Sequence, residues 1–312
     1  MTVLLVGAGR VGQRHLAGLL AAGATVAVVD PQEGARATAV AAGATRAYAS
    51  LDEALGAEDD LTAAVSAEPA EGRLERLSAL LDRVEAVLVE KPLEQSRART
   101  RELVERCAGR SVDCNLNLRL APVFAELRDA GPYRISVTGG AWGFGCNGIH
   151  YIDLALFLAG AGGRLAFAEL EQEPIVSPRG TSFRDYGGTA VFVLDDGSRL
   201  ALDCGATSSA PVFMTVALPD RLVAVDLHAD REIDWRRRPG SDAPVYRYGA
   251  DYDRVEVEGR VARSIPDITE AWLRSVRTGA ASPLPPVSAA LAAHELLFDL
   301  LETTGDTHFP IT

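Results

Sequence analysis

Over the first third of the chain, short apolar runs alternate with segments of helical period. Val3-Leu4-Leu5-Val6 is apolar at every position, as a parallel strand covered on both faces requires. Leu16, Leu19 and Leu20 follow at helical spacing, and Val26-Ala27-Val28-Val29 reads as a second strand. A short strand is expected over 45–50. Two more are expected over 61–65 and 84–89, with a helix over 71–81 between them. A helix over 96–107 then leads to a sixth strand over 111–117. This alternation predicts a doubly wound parallel sheet. Ligands of such sheets lie beyond the carboxyl ends of the strands. Gly7, Asp30, Pro69, Lys91 and Asn117 all fall at such ends and are expected to line one crevice.

After Pro122 the pattern changes. A helix over 123–129, an alternating strand over 133–139 and an apolar helix over 148–158, closed by Gly160, are followed by strands without helices between them. These span 164–171, 188–194, 199–205, 212–218 and 222–227. Asp195-Asp196-Gly197-Ser198 and Pro219-Asp220 are hairpin turn signals. The pattern predicts an antiparallel sheet with one helical layer. Residues 236–248, dense in Arg and Pro, read as an exposed loop. Two terminal helices, over 268–278 and 287–304, are joined by Ser282-Pro283-Leu284-Pro285-Pro286.

Composition narrows the function. A chain of 312 residues has room for two domains, and a net charge of −12 argues against nucleic-acid and anionic-membrane partners. No apolar stretch reaches the roughly 18 residues of a membrane span, and there is no charged-then-apolar leader, so a cytoplasmic location is expected. Cys107, Cys114, Cys146 and Cys204 form no CxxC pair, so reduced thiols and no metal site are expected.

Gly7-Ala8-Gly9-Arg10-Val11-Gly12 follows the first strand and opens the first helix. In that context Gly7 permits the tight turn, Gly9 lets a pyrophosphate approach the backbone, and Gly12 allows close helix packing. The helix N-terminus, with Arg10 and Val11, offers free amides and a positive dipole end. Asp30 ends the second strand eighteen residues after Gly12, where it accepts from adenosine ribose hydroxyls and repels a 2′-phosphate. NAD is therefore the expected cofactor, with NADP left open by Arg36 and Arg46. Pro69, Glu90, Lys91 and Asn117 complete the expected cofactor-binding set.

Lys91 is the only lysine among 31 Lys and Arg residues. Its ammonium shares a proton where a guanidinium stays charged, and it follows the apolar run Val87-Leu88-Val89 at a strand end.

Together these features resemble the glucose-fructose oxidoreductase / inositol dehydrogenase / MocA family over nearly the whole chain. The resemblance rests on the glycine motif extended to His15 and on Val89-Glu90-Lys91-Pro92. Further on it rests on Asn117-Leu118-Arg119-Leu120-Ala121-Pro122, on Gly148-Ile149-His150-Tyr151-Ile152-Asp153, and on the final helix pair. It implies a Rossmann domain, placed at 1–119, followed by an α+β domain with an open antiparallel sheet, at 120–312. It also implies hydride transfer between nicotinamide and a sugar-, cyclitol- or nucleotide-sugar-like alcohol or ketone, a cis Lys91–Pro92 bond, and homodimers or homotetramers joined through the open sheet.

Oxidising a secondary alcohol requires a base. His150 fits that role, and Lys91 beside it would stabilise the developing alkoxide. Arg119, Trp142, Asn147, Tyr151 and Arg184 are further candidate substrate contacts. The chain departs from the family at Cys146, where many members carry an aspartate one turn before the histidine. This leaves Asp153, Asn147 or the substrate to orient His150. Asp153 itself reads as a capping or pairing residue, His15 as a packing residue near the cofactor loop, and Glu68 as solvent-facing or as part of the ribose environment. Trp235 and Arg236-Arg237-Arg238 read as a solvated run. Three other functions stay open: reduction of an imine or keto group in biosynthesis, a cofactor-retaining epimerase or glycosidase, and a non-catalytic nucleotide-binding protein.

Overall fold

A computed structural model describes residues 1–176, 180, 182–261 and 264–311. The backbone forms two compact units. The first contains 1–117, 263–294 and 307–312, and the second contains 118–262 and 295–306. The C-terminal segments 263–294 and 307–312 therefore pack with the N-terminal sheet, where the sequence reading had grouped them with the second domain.

The first unit alternates strand and helix: β1 (Thr2–Val6), α1 (Arg10–Ala21), β2 (Thr25–Val29), α2 (Glu33–Ala41), β3 (Arg46–Tyr48), α3 (Leu51–Ala57), β4 (Leu61–Ser66), α4 (Arg73–Leu81), β5 (Ala86–Val89), α5 (Arg97–Arg106) and β6 (Ser111–Cys114). The strands are all parallel, in the order β3-β2-β1-β4-β5-β6, which reverses direction between β1 and β4. That is the strand order of a dinucleotide-binding sheet. Val3, Leu4, Leu5, Val26, Val28, Val65, Val87 and Leu88 are fully buried, as strands covered on both faces must be. The helices α2 and α3 were not read from sequence, because their alanine-rich faces carry little periodic signal; each buries a single alanine, Ala39 and Ala54.

The second unit holds α6 (Pro122–Ala125), β7 (Arg134–Gly139), α7 (Ile149–Ala159), β8 (Gly163–Leu170), the short pair β9 (Ile175–Val176) and β10 (Arg184–Asp185), then β11 (Gly188–Leu194), β12 (Arg199–Cys204), β13 (Phe213–Ala217), β14 (Arg221–Asp226), β15 (Arg231–Arg237) and β16 (Tyr252–Glu258). Eight of these strands form one sheet in the order β16-β15-β14-β13-β7-β12-β11-β8. The sheet is antiparallel except where β12 runs parallel to β7, so it is mixed rather than purely antiparallel. Alternation along β11 buries Ala190, Phe192 and Leu194 and leaves the opposite face half-covered.

The strands β15 and β16 were not read from sequence: Arg236 and Arg238 are exposed, as expected of a solvated run, but Trp235, Arg236 and Arg237 belong to β15. Their pattern is inverted. The buried positions of β15 are Glu232 and Asp234. Asp234 is held by Arg221, at 3.0 and 2.7 Å, and by Arg236 at 2.6 Å; Glu232 lies 3.7 Å from Arg260. A charged core face gives no period-2 hydrophobic signal.

Two helices close the chain. The first, α8 (Ile265–Thr278), packs on α1, and the missing Cβ of Gly18 makes room for the Pro266 carbonyl. The second, α9 (Val287–Leu301), belongs to the first unit as far as His294.

Candidate active site

The carboxyl edge of the parallel sheet brings Asp30, Gly7, Pro69, Lys91 and Asn117 to the ends of β2, β1, β4, β5 and β6 respectively. Gly7 takes φ +89°, and a Cβ there would lie 2.6 Å from the Glu68 backbone nitrogen. A Cβ on Gly12 would lie 1.9 Å from the Gly7 carbonyl oxygen, so that glycine seats α1 against the turn. Gly9 is different. Its φ of −68° suits any residue, and a Cβ there would meet nothing within 4 Å. Neither backbone conformation nor internal packing calls for a glycine at that position. It keeps a space clear at the start of α1, which has no side-chain cap, so its first-turn amides face that space. Such a cleared, uncapped helix start could hold a pyrophosphate.

Asp30 is buried at the end of β2. Its carboxylate accepts from the Ala8 amide at 2.8 Å and from the Gln32 amide at 2.9 Å. It thus ties the glycine turn to β2 and keeps lone pairs for ribose hydroxyls. Arg36 donates to the Asp30 and Pro31 carbonyls, at 2.8 and 3.0 Å, and Arg46 pairs with Glu58 at 2.5 Å. Asp30→Ala is expected to weaken NAD+ binding by about tenfold or more and to narrow its margin over NADP+. Calorimetric titration of both nucleotides checks this, and an unaltered margin would place the ribose contact elsewhere.

Around Lys91 the sequence reading missed most of the supporting residues. The Lys91–Pro92 bond is cis, as the resemblance implied. Glu90, expected to touch cofactor, turns its carboxylate inward. One oxygen accepts from His15 Nε2 at 3.0 Å and from the Asn115 amide at 2.5 Å. His15 is fully buried and reaches Thr269 of α8 through Nδ1 at 2.8 Å. Burial pushes the Glu90 carboxyl up, but the His15 hydrogen bond and charge, the Lys91 ammonium and the Asn115 amide outweigh it and hold it at about 2. Glu68 is not solvent-facing: it accepts from Ser66 Oγ at 2.8 Å and Arg76 Nε at 3.2 Å. Arg73, which carried no sequence signal, is fully buried, donating to the backbone carbonyls of Glu68, Glu90, Pro92 and Leu93.

The Glu90 carboxyl sits below its unfolded value of 4.5, so it stabilises the folded state fully above about pH 5. That contribution drains away as pH falls from about 4.5 toward 2. In Glu90→Gln this acid-sensitive component, a few kcal/mol in size, is expected to vanish. Urea unfolding at several acidic pH values reads it. Equal pH slopes for the two proteins would show that the carboxylate carries no such coupling.

In the second unit a π turn, Phe144–Gly148, leads into α7 and carries Cys146; His150 is the second residue of the helix. Both side chains are half-buried. Asp185 grips this turn, accepting from the amides of Gly145 at 2.6 Å and Cys146 at 2.9 Å. Gly143, at φ +73°, makes way for it, since a Cβ there would lie 2.0 Å from the Asp185 carboxylate. No local pattern flags Asp185, because its partners lie some forty residues upstream. The residues offered as orienters of His150 are otherwise engaged. Asp153 is buried and pairs bidentately with Arg119, with an Nε–Oδ2 distance of 2.8 Å, and Asn147 donates to the Trp142 carbonyl. Arg119 also lies 4.9 Å above the Phe157 ring. Trp142 and Tyr151 are buried and meet edge to face at 5.1 Å. Arg184 is exposed and lines a cavity of about 410 Å³ with Tyr186, Glu171, Thr303, Thr304 and Asp306.

Residues 1–118 match a family model described as an oxidoreductase family with an NAD-binding Rossmann fold. No curated protein matches the chain. Among solved structures, a UDP-N-acetylglucosamine 3-dehydrogenase from Acidithiobacillus ferrooxidans is similar at a TM-score of 0.75 and 19% identity, over 96% of each chain. GenD2 from gentamicin A biosynthesis, solved with NAD, is similar at 0.71 and 21%, over 98% of this chain and 94% of that one. An oxidoreductase from Agrobacterium radiobacter, solved with NAD+, L-tartaric acid and magnesium, is similar at 0.76 and 14%, over 98% and 96%. At these identities the likenesses establish the fold of the whole chain. Among the described residues, no helix is long and apolar enough to cross a membrane.

Proposed function

We propose that this chain, whose residues 1–118 match the model of an NAD-binding Rossmann oxidoreductase family, is an NAD-dependent dehydrogenase of a sugar-, cyclitol- or nucleotide-sugar-like alcohol. The observation that carries the reading is the row of groups along one sheet edge: the buried Asp30, a cleared glycine turn and the single lysine, at the ends of β2, β1 and β5. Bound NAD supplies the hydride acceptor or donor. The protein handles the proton. In the oxidative direction His150 takes it from the substrate hydroxyl, and the Lys91 ammonium stabilises the oxygen as negative charge grows on it. In the reductive direction the same groups return the proton to the carbonyl oxygen. The UDP-sugar dehydrogenase and the tartrate-bound oxidoreductase among the structural relatives support a polyhydroxylated substrate.

The protein is proposed to work in the cytoplasm as a homodimer or homotetramer. The half-covered face of the mixed sheet supports assembly, since it leaves Phe167, Phe213 and Leu222 between 37% and 50% exposed. Sedimentation velocity tests this, and a monomer at micromolar concentration would contradict it.

The function itself is tested by supplying NAD+ with UDP-N-acetylglucosamine, myo-inositol or L-tartrate and following NADH. NADH formation with at least one, faster than NADPH formation from NADP+, is the expected result. A purified protein with no affinity for either nucleotide would overturn the reading. Tightly held NAD with no net NADH would point to the cofactor-retaining class.

A further inference from the structure

Arg73 is costly where it stands. It is 1% exposed, and burial draws its guanidinium below the ordinary arginine range despite Glu68, Glu90 and Glu94 nearby. It is also the first residue of α4, where the helix dipole disfavours a cation. A buried guanidinium survives only if its donors are used. Here Nη1 and Nη2 are used on backbone oxygens, while the buried Nε has no hydrogen-bond partner and lies 3.8 Å from a Glu68 carboxylate oxygen. Nη1 reaches the Glu90 carbonyl at 2.7 Å and the Leu93 carbonyl at 3.3 Å, and also bonds the Pro92 carbonyl, while Nη2 bonds the Glu68 carbonyl. The carbonyls on both sides of Lys91 are thus pinned by one planar fork, which also ties them to the end of β4.

A second support completes the frame. The Leu93 amide donates to Nε2 of the fully buried His294 at 3.0 Å, and His294 Nδ1–H donates to the Ala290 carbonyl at 2.8 Å. An amide that donates to Nε2 fixes the imidazole as the Nδ1–H tautomer. The next residue, Glu94, accepts from the Leu74 amide at 2.7 Å, directly after Arg73. Arg73 and His294 both hold main chain within two residues of Lys91, Glu94 adds a side-chain anchor, and no protein atom lies within 4 Å of a Cβ placed on Gly9.

We propose that Arg73 and His294 are positioning residues that hold the Lys91 ammonium in its working place. The inference rests on the proposed role of Lys91. An ångström of misplacement costs about 10²-fold in a reaction that depends on position, so loss of either anchor should silence Lys91 without dislodging the nucleotide.

The single lysine allows a test that needs no substrate. The protein is treated with a trace of acetic anhydride, with and without saturating NAD+, and acetylation of Lys91 is read by mass spectrometry against the Met1 amine. In wild type, NAD+ is expected to protect Lys91. In Arg73→Met and in His294→Leu, NAD+ affinity should stay within about threefold while the protection falls about tenfold or more. His294→Gln, whose amide oxygen still accepts from Leu93, should recover it. If Arg73→Met fails to fold, the two His294 variants carry the test. Protection as strong in Arg73→Met or His294→Leu as in wild type would overturn the inference. So would His294→Gln behaving like His294→Leu, since the damage would then be general. No protection in wild type would remove Lys91 from the nucleotide site, and the inference with it.

Discussion

Lys91→Ala is expected to lower turnover by about 10²-fold or more while NAD+ binding stays within about threefold. The split follows from what surrounds the residue. The proposed nucleotide cradle consists of the glycine turn, the first turn of α1 and Asp30, none of which draws on the lysine. The frame that fixes the residue acts on main chain, so truncating the side chain leaves it intact. What disappears is the ammonium, and with it the stabilisation of negative charge on the substrate oxygen. That stabilisation is worth more in the transition state than in the ground state, so the loss should fall on kcat rather than on KM for NAD+. Arginine at the same position should not substitute, because guanidinium does not release a proton and is bulkier. Steady-state kinetics with the best substrate from the panel reads the outcome. Unchanged turnover in Lys91→Ala would remove it from the chemistry.

The second large effect separates two glycines three residues apart. Gly9→Ala is expected to leave the thermal midpoint of the nucleotide-free protein within about 1 °C, because the new methyl meets no protein atom within 4 Å at an ordinary φ. The same methyl occupies the space a pyrophosphate needs. NAD+ affinity should fall by about 10- to 100-fold, the cost of forced overpacking, and stabilisation by added NAD+ should fall with it. Gly12→Ala should do the reverse first. Its methyl is driven onto the Gly7 carbonyl, so the apo protein itself loses about 1–3 kcal/mol, and nucleotide binding suffers as a consequence. Thermal shift with and without NAD+ compares the two. A Gly9→Ala protein that binds NAD+ normally would mean that the cleared space is not the phosphate site.

The parallel half of the fold was legible because its information is local. Uninterrupted apolar runs give the buried strands, and a glycine motif between strand and helix gives the turn. Asp30 and Lys91 were singled out because each stands at the end of such a run. The supporting shell was not legible, since its partners are far apart in sequence. Arg73 meets Glu90, Pro92 and Leu93 some seventeen to twenty positions on, and His294 meets Leu93 across 201. Asp185 caps a turn forty residues earlier. Nothing in the composition of those segments marks them. Glu90 was read as a cofactor contact from its place beside Lys91, and the structure turns it inward to His15 and Asn115. Trp142 and Tyr151 were singled out as aromatics close to His150 in sequence; their burial against each other is a tertiary feature that no local pattern shows. The strand β15 was hidden because its inward side chains are acids matched by arginines from β14 and from residue 260.

Nuclear magnetic resonance of the protein after reductive methylation with ¹³C-formaldehyde tests the account most directly. The chain has one lysine, so the spectrum holds one dimethyl-lysine signal beside that of the α-amino group. Addition of NAD+ to saturation should move the lysine signal, while the α-amino signal stays in place. A lysine signal that keeps its position while NAD+ is demonstrably bound would contradict the claim that this ammonium works at the nucleotide.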